Sequence, residues 1–338
     1  MVIQKKSFGK SPDGQAATIW VIENSQGAQL GLTDWGATTA FYHLPDGEGR
    51  TVNVLLGYPD ASGFTNARGY QGATCGRFAN RIALGRFHLE GHDYELACNN
   101  EPNHLHGGDW GLNRRIWQAE PYTEGNRSGV VFTTTSPDGE EGYPGTLQVR
   151  ADYALDEEGS IFMDFQAQTN KATPVNLTNH AYWNLAGTGT ILNHQVKFHA
   201  SRYLPVDDTA IPTGEQASVE GGPFDFRQAK SIGQDIQSAP GGGYDHCIII
   251  DGEAGELRPA VEVFEPQSGR RMILKTDRPG VQFYSGNFLD GNPFEKHAGF
   301  CLEPEDFPDA PNQPSFPSTI LQPGERYHHR SIWEFPQD

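Results

Sequence analysis

The sequence of 338 residues lacks long apolar runs and has few basic residues. No stretch reaches the roughly 18 consecutive apolar residues of a transmembrane helix, so we expect no membrane span and no membrane partner. The 25 Lys and Arg residues stand against 43 Asp and Glu residues, which gives a formal net charge of −18. Nucleic-acid binding requires a basic surface, so this balance excludes nucleic acid as a partner. It also disfavours a strongly anionic substrate.

Cysteine is scarce, and the four cysteines show no CxxC spacing. We therefore expect free, mostly buried thiols at Cys75, Cys98, Cys247 and Cys301. The N-terminal sequence MVIQKKSFGK lacks the apolar segment of a secretory signal. The chain is accordingly expected to stay in the cytoplasm.

Amphipathic segments of helical length are missing as well, because 40 Gly and 23 Pro interrupt the chain. The hydrophobic segments are short and rich in β-branched and aromatic residues, which is typical of strands. They include residues 16–23, 51–58, 129–135, 147–155, 160–168, 260–265, 270–276 and 331–335. Residues 87–96 have the pattern of a hairpin about Glu90-Gly91. Many antiparallel strands without a linker predict an all-β fold, with residues 1–338 forming one large sandwich or barrel domain.

The segment VNLTNHAYWNL, residues 175–185, alternates between two kinds of side chain. With a period of two, one side carries Asn176, Thr178, His180, Tyr182 and Asn184. The other side is apolar and includes Trp183, with only Asn179 interrupting it. The polar side has uncharged hydrogen-bonding groups where an ordinary half-buried strand would carry Lys or Glu. This pattern predicts the lining of a pocket for a neutral, hydroxyl-rich ligand.

Three further segments carry polar groups beside apolar residues. Asn80 and Arg81 precede a β-like segment and offer fixed donors for substrate hydroxyls or for a carboxylate, although a structural ion pair is the common alternative. Asp245 lies where a glycine-rich loop enters an apolar strand, and it is either a turn residue or an acceptor for two sugar hydroxyls. Gln282 and Tyr284 share one face of a predicted strand and repeat the polar-plus-aromatic pattern.

The segment NHLHGG raises the question of a metal site. His104 and His106 lie two residues apart and would share a face of a strand, and His180 would supply a third ligand. No carboxylate follows at a familiar ligand spacing, so histidines without a metal are favoured. Gly107-Gly108 suits a close approach of the backbone to a ligand.

Glu303 is the acidic residue whose position is hardest to explain by solvation. It ends the apolar run 299–302 and is followed by Pro304, which is expected to end the strand. Burial of a carboxyl raises its pKa and makes it a usable base. The acidic residues that follow, Glu305, Asp306 and Asp309, are in loop-like sequence and are expected to be solvated.

Together these segments resemble the aldose 1-epimerase (galactose mutarotase) family. Eight strings occur in the family's order, from about Trp35 to the C-terminal strand. They are GRFANRI, NHLHGG, VNLTNHAYWNL, YLPVDDTAIPTGE, GPFDFR, YDH, PGVQFYSGNFL and GFCLEP followed by FPDAPNQP. The resemblance implies a large antiparallel β-sandwich of the galactose mutarotase type. It also implies interconversion of the α and β anomers of aldoses such as galactose and glucose, without a cofactor.

The resemblance also implies roles for individual residues. Glu303 matches the family's general base and His180 its general acid. The sugar-binding positions are matched by Asn80, Arg81, His106, Tyr182, Asp245 and Gln282. Two departures are present: Pro304-Glu305 follows the base where Thr-Gln is the commoner pattern, and Ser285 replaces a threonine.

The residue types suit this chemistry, because opening a hemiacetal requires one base for the O1 proton and one acid for the ring oxygen O5. Neither a cofactor nor a metal is expected. Two alternatives use the same residues: a non-catalytic sugar-binding protein and a hexose-6-phosphate mutarotase. The latter needs a cationic phosphate site, and no Arg/Lys cluster lies near these motifs. The expected partner is a monosaccharide, and the expected state is a monomer or weak dimer.

Overall fold

A computed structural model describes residues 1–45, 50–66 and 69–336 of the chain. Within these ranges the strands are β1 Val2–Lys10, β2 Ala16–Glu23, β3 Gln29–Thr33, β4 Thr38–Pro45, β5 Thr51–Asn53, β6 Thr74–Cys75, β7 Arg81–Ile82, β8 Arg86–Leu89, β9 His92–Glu95, β10 His104–Leu105, β11 Gln118–Glu124, β12 Arg127–Ser136, β13 Leu147–Asp156, β14 Ile161–Thr169, β15 Thr173–Pro174, β16 Thr178–Asn179, β17 Tyr182–Trp183, β18 Gln195–Phe198, β19 Arg202–Tyr203, β20 Ala217–Ser218, β21 Lys230–Ser231, β22 Asp245–Ile249, β23 Arg258–Phe264, β24 Arg271–Thr276, β25 Gly280–Tyr284, β26 Phe300–Glu305, β27 Ile320–Leu321 and β28 Tyr327–Glu334.

Helical structure is confined to short pieces in the described part of the chain. The α-helix is α1, Ala61–Asn66. The 3₁₀ turns are Ala83–Gly85, Leu112–Arg114, Glu140–Gly142, Ile236–Ser238, Pro240–Gly242 and Ala310–Asn312. Among the described residues, no helix is both long enough and apolar enough to cross a membrane.

Three larger sheets organise these strands. The first has the order β1-β2-β3-β4-β5, and the second has the order β11-β12-β13-β14-β28-β24-β23-β18-β21. The third has the order β17-β26-β25-β22-β19-β20. Neighbouring strands in all three sheets run antiparallel, which confirms the antiparallel all-β prediction. The predicted hairpin is also present, with β8 and β9 paired about Glu90-Gly91.

The three sheets share one hydrophobic core. Trp20 of the first sheet packs on Phe132 of the second, with ring centroids 6.0 Å apart. Phe198 of the second sheet packs on Phe283 of the third at 5.3 Å. These rings belong to one continuous cluster of buried side chains. Sheet faces that bury their apolar sides against each other form the predicted sandwich.

The third sheet sets the register of the polar residues. Gln282 of β25 lies opposite Cys247 of β22 on one side and Glu303 of β26 on the other. Contrary to the sequence expectation, Pro304 lies inside β26 and pairs with Val281. A proline is tolerated there because β17 pairs only with Phe300 and Cys301, so β26 has a single neighbour at Pro304.

The alternation predicted one continuous strand over residues 175–185, but the structure does not contain it. It contains β16 and β17 as two-residue bridges to β6 and β26, with Asn176 bridging to Phe78. All eleven residues are buried, the polar ones included. The alternation therefore does not separate a wet face from a dry one, because tertiary structure covers both.

Candidate active site

A cavity of about 1090 Å³ opens beside β22, β25 and β26. It is lined by Tyr58, Gly63, Asn66, Gly69, Tyr70, Gln71, Asn80, Arg81, Asn100, Leu105, His106, His180, Tyr182, Asp245, Gln282, Tyr284, Phe288, Leu289, Asp290, Asn292, Pro293, Phe294 and Glu303. All eight site residues expected from the sequence are among them. These residues are far apart in sequence. Strand pairing in the third sheet and the loops between β5 and β10 bring them to one cavity.

Glu303 and His180 lie side by side in the wall of this cavity. The Nε2 atom of His180 is 3.7 Å from the Oε1 atom of Glu303. The exposed fractions of His180 and Glu303 are 5% and 2%, respectively. The other ring nitrogen, Nδ1, is 3.4 Å from the Sγ atom of Cys301, which lies two residues before Glu303 on β26. The imidazole is therefore contacted on both nitrogens by one strand.

Burial moves the proton affinities of these two groups in opposite directions. Desolvation lowers the pKa of His180 to about 4, and the charge of Asp245 only partly opposes this. Desolvation raises the pKa of Glu303 well above its ordinary value, and the charge of Asp245 adds to the effect while Arg81 opposes it. A proton shared by the pair is therefore favoured on Glu303.

His106 has a defined tautomer. Its Nδ1 atom accepts a hydrogen bond from the backbone N–H of Asn80 at 3.1 Å, so the proton of the neutral ring is on Nε2. His106, His180 and Glu303 have ligand atoms within 4.8 Å of one another, a spacing that permits a metal ion. Nε2 cannot ligate a metal while it carries the proton, and Nδ1 is already occupied. The donor set therefore fits a hydrogen-bond donor to a hydroxyl better than it fits a metal ligand.

His104 lies outside the site, although it was expected to share a face with His106. Its Nδ1 is 2.7 Å from the carbonyl oxygen of Ala97, and its Nε2 is 2.6 Å from the hydroxyl of Tyr143. Both ring nitrogens are therefore occupied away from the cavity. The two histidines diverge because β10 ends at Leu105 and His106 has a left-handed backbone conformation, with φ of 50°.

Asp245, Gln282 and Arg81 form a second group in the cavity wall. The Nε2 atom of Gln282 donates to Asp245 Oδ1 at 2.7 Å. Nη2 of Arg81 is 3.7 Å from Asp245 Oδ2, and its Nε donates to Asn100 Oδ1 at 3.0 Å. Arg81 therefore pairs with Asp245 rather than with Glu303. It fixes the carboxylate orientation and still has donors on the cavity side.

Asn80 connects the cavity to a second buried carboxyl. Its amide Nδ2 donates to Glu305 Oε1 at 3.0 Å, while its Oδ1 accepts from the backbone of Arg81 at 2.9 Å. Glu305 is fully buried and Asp309 is 1% exposed, so the expectation that they are solvated was wrong. Asp306 is partly buried and pairs with Arg278 at 3.0 Å. The strand continues through Pro304 and carries Glu305 into the interior.

Several acceptors in the cavity wall have no protein partner. They are the buried oxygens Gln71 Oε1, Gln282 Oε1 and Glu303 Oε2. Buried acceptors are costly unless a donor reaches them. All three residues line the cavity, so the cavity wall is polar and suits a ligand with several hydroxyl groups.

Comparison with known proteins identifies the family. The sequence profile described as aldose 1-epimerase matches residues 18–333. The chain belongs to the aldose 1-epimerase family. Galactose mutarotase from Rattus norvegicus is 42% identical over 342 residues, covering 98% of each chain. Aldose 1-epimerase from Escherichia coli K12 is 35% identical, covering 96% of this chain and 97% of that protein.

Solved structures agree with the family assignment. Galactose 1-epimerase from Lactobacillus acidophilus superposes with a TM-score of 0.88 at 27% identity, covering 99% of both chains. A GalM/aldose epimerase homologue from C. elegans gives 0.87 at 28% identity, covering 95% of this chain and 99% of that one. The fold is thus the β-sandwich of the galactose mutarotase type, and the chain is an isomerase of the epimerase class.

Only two members of the polar alternation in 175–185 reach the cavity of this epimerase-family chain. His180 and Tyr182 line it, with their rings stacked at 5.1 Å. Asn176 donates to the carbonyl of Ala79 and Asn184 to that of Ala298, so both serve the backbone. Asn179 likewise has a structural role, because its amide donates to the carbonyl of Gly72 at 2.6 Å and to the hydroxyl of Tyr153 at 3.2 Å.

Packing corrects the expectation for Gly107 and shows where Ser285 lies. Gly107 approaches another backbone segment rather than a ligand, because a Cβ there would lie 1.8 Å from the carbonyl oxygen of Gly76. Ser285 is also outside the cavity lining among the described residues, and its hydroxyl accepts from the backbone N–H of Tyr244 at 2.9 Å. The replacement of threonine there therefore leaves the cavity wall unchanged.

Sequence reasoning missed several lining residues. Tyr70 packs against both site histidines, with ring centroids 4.6 Å from His106 and 5.9 Å from His180. Gln71 supplies an unpaired acceptor, and Asn100 holds Arg81. For Tyr70 and Gln71 the available signal was the string GYQG, which is weak on its own.

Proposed function

We propose that this chain interconverts the α and β anomers of aldoses such as galactose and glucose, with Glu303 as general base and His180 as general acid. The observation that carries the proposal is the buried Glu303–His180 pair, 3.7 Å apart in a cavity with unpaired acceptors. O1 and O5 of an aldopyranose are bonded to the same carbon, so two adjacent proton-transfer groups suit them. The similarity to named mutarotases over nearly the whole chain supports the reaction type.

Ring opening moves two protons. Glu303 takes the proton of the O1 hydroxyl, a C1–O1 double bond forms, and the C1–O5 bond breaks as His180 protonates O5. The open aldehyde rotates about C1–C2. Reclosure on the opposite face returns the O5 proton to His180 and the proton on Glu303 to O1. Atoms and charges balance, and both residues return to their starting state without a cofactor.

The direction of the pKa shifts favours these transfers. A histidine with its pKa lowered to about 4 gives up its proton readily, and a glutamate with a raised pKa takes one readily. The pair with the proton on Glu303 is also the form that the enzyme has while the open aldehyde is bound. Desolvation therefore stabilises the protonation state that accompanies the intermediate.

The remaining wall residues are assigned to sugar binding. Asp245 accepts from ring hydroxyls, with Arg81 and Gln282 fixing its carboxylate. His106 donates through Nε2, since its Nδ1 is held by the Asn80 backbone. Tyr182 offers an aromatic face beside His180. Asn80 is assigned to sugar binding through its side chain in the cavity wall. Glu305 fixes the position of that side chain.

The hexose-6-phosphate alternative has less support than the free sugar. Among the described residues that line the cavity, Arg81 is the one Arg or Lys, and it is already engaged by Asp245 and Asn100. A phosphate group prefers several cationic donors. Comparing galactose with galactose 6-phosphate as substrates separates the two functions.

Polarimetry of freshly dissolved α-galactose tests the proposal. The protein is expected to accelerate the decay of optical rotation, and Glu303→Gln and His180→Gln are each expected to slow the reaction at least 100-fold, because each proton transfer contributes about 10²- to 10⁴-fold. Glu120→Gln and His92→Gln, both at exposed positions, are the matched controls. Galactose binding without acceleration would support the non-catalytic sugar-binding alternative. Full activity in Glu303→Gln would remove it as the base.

A further inference from the structure

Cys301 is a buried thiol whose contact with His180 the reaction described above does not use. It lies two residues before Glu303 on β26, so both side chains point to the same face of the strand. Its Sγ is 3.4 Å from His180 Nδ1, and the residue is fully buried. Cys301 does not line the cavity among the described residues, so it has no direct route to the sugar.

The reaction requires a proton on Nδ1 of His180 throughout. In the imidazolium form both nitrogens are protonated. In the neutral form, Nε2 must be free to recover the proton from O5, so the remaining proton is on Nδ1. The group facing Nδ1 must then accept a hydrogen bond. The sulfur of Cys301 is in that position.

A thiol sulfur has a particular advantage as this acceptor. Burial raises the pKa of the Cys301 thiol well above its ordinary value, so the sulfur is uncharged. A carboxylate at the same place would orient the ring but would also stabilise the imidazolium. A neutral, weak acceptor orients the ring and leaves it acidic.

Among the described residues, Cys301 is the one side chain hydrogen-bonded to Nδ1 of His180, and a hydrogen bond between the ring and the backbone of His180 itself also raises its pKa. The titratable groups near its ring are Glu303 and Cys301 of β26, His106 and Tyr70 from the 70–106 region, Tyr182 beside it in sequence, Tyr284 of β25, and Asp245 of β22 by charge. Tyr70 and Tyr182 stack on the ring, whereas His106 and Tyr284 contact it in T-shaped arrangements. Asp245 acts by its charge.

We propose that Cys301 is a positioning residue for the acid–base reaction: its sulfur accepts the Nδ1–H of His180 and holds Nε2 toward Glu303 and the sugar. The inference rests on the proposed function in that it assigns a partner to the general acid. β26 thereby carries the base and fixes the orientation of the acid, through two side chains on one face.

Kinetics of three variants test the role of Cys301. Cys301→Ala removes the acceptor and is expected to lower kcat about 10- to 100-fold, by analogy with the loss of the orienting partner of a metal-ligating histidine, with little change in KM. The acidic limb of the pH–rate profile moves to lower pH, because the imidazolium loses an acceptor. Cys301→Ser keeps a hydrogen-bond acceptor, although the C–O bond is shorter than the C–S bond. This variant should therefore recover part of the lost kcat. Cys75→Ala is the control, since Cys75 is equally buried and its thiol is hydrogen-bonded to the carbonyl of Ala73.

A packing role gives a different result. If Cys301→Ala loses stability as Cys75→Ala does but keeps the wild-type kcat and pH profile, the positioning role is overturned.

Nitrogen-15 NMR of histidine-labelled wild-type protein provides a readout independent of activity and of the folding of the Cys301 variants. With His180→Gln identifying the signal, the neutral ring should carry its proton on Nδ1. A proton on Nε2 would show that the thiol donates instead, and would reject the proposal. Inactive wild-type protein with an Nδ1 proton would refute the proposed function while leaving the orientation by Cys301 intact.

Discussion

At the scale of single residues, the chemistry of Glu303 and His180 follows from their burial. Both are ordinary ionisable side chains whose charged forms are disfavoured away from water, which raises one pKa and lowers the other. The sequence indicated burial of Glu303 through its position at the end of an apolar run. It contained no such indication for Glu305, because the preceding proline was expected to end the strand.

The pH dependence of the rate follows from these shifts. In the proposed mechanism the Glu303–His180 pair holds one proton, so we expect activity to fall when a second proton binds and when the last one leaves. Because the pKa of His180 is lowered to about 4, we expect the acidic limb near pH 4. Because the pKa of Glu303 is raised, we expect the alkaline limb well above the pH at which a glutamate ordinarily ionises. Initial polarimetric rates, corrected for buffer catalysis, measure both limbs. An acidic limb near the ordinary histidine pKa of about 6.5 would contradict the desolvation of His180.

At the scale of elements, β26 carries the site. Every second residue of β26 from 301 to 305 lies on one face. Cys301 contacts His180 Nδ1, Glu303 contacts His180 Nε2, and Glu305 contacts Asn80. Pairing with β25 places Gln282 opposite Glu303. The sequence predicted strand character for 299–302 and for 279–289, but it contained no information on which strands are neighbours.

The Glu305→Gln variant tests the free-energy cost of burying the ionised carboxyl of Glu305 on this strand. Burial raises the pKa of Glu305 in the folded state. The fold is therefore more stable when this carboxyl is protonated, at low pH. That contribution to the free energy of unfolding is lost as pH rises through the folded-state pKa. The glutamine keeps an acceptor for Asn80 and cannot ionise. We expect the variant to have a higher Tm than wild type at about pH 9, by on the order of 2 °C per kcal/mol gained, with the difference shrinking toward about pH 5.

Thermal unfolding followed by circular dichroism across this pH range measures the effect. Glu120→Gln, an exposed position on β11, should show no such pH-dependent difference. A constant difference at every pH would mean that Glu305 is not neutralised by burial.

At the scale of the whole molecule, one core joins the three large sheets. Its buried members run from Trp20 near the N-terminus to Phe335 near the C-terminus. Tyr42 of the first sheet packs on Phe335 at 4.9 Å. We propose on this basis that residues 1–338 unfold as one domain.

Calorimetry of a core variant checks that proposal. Phe283 is fully buried and its ring packs with Phe198, Phe226 and Tyr244. Phe283→Ala should lower the free energy of unfolding by about 3–5 kcal/mol and shift a single transition as a whole. Two separate transitions, with only one of them moved, would divide the chain into independent units.

The sequence by itself determined the strand-rich fold class, the family and the identity of the eight lining residues, because these depend on local residue preference and on motif strings. Tertiary structure alone decided which groups meet. It separated His104 from His106, turned Asn176, Asn179 and Asn184 toward the backbone, and buried Glu305 behind Asn80. It also placed Cys301 against His180. The physical reason is that strand neighbours, register and burial arise from packing between distant segments, whereas a periodic pattern reports only the alternation of side chains within one segment.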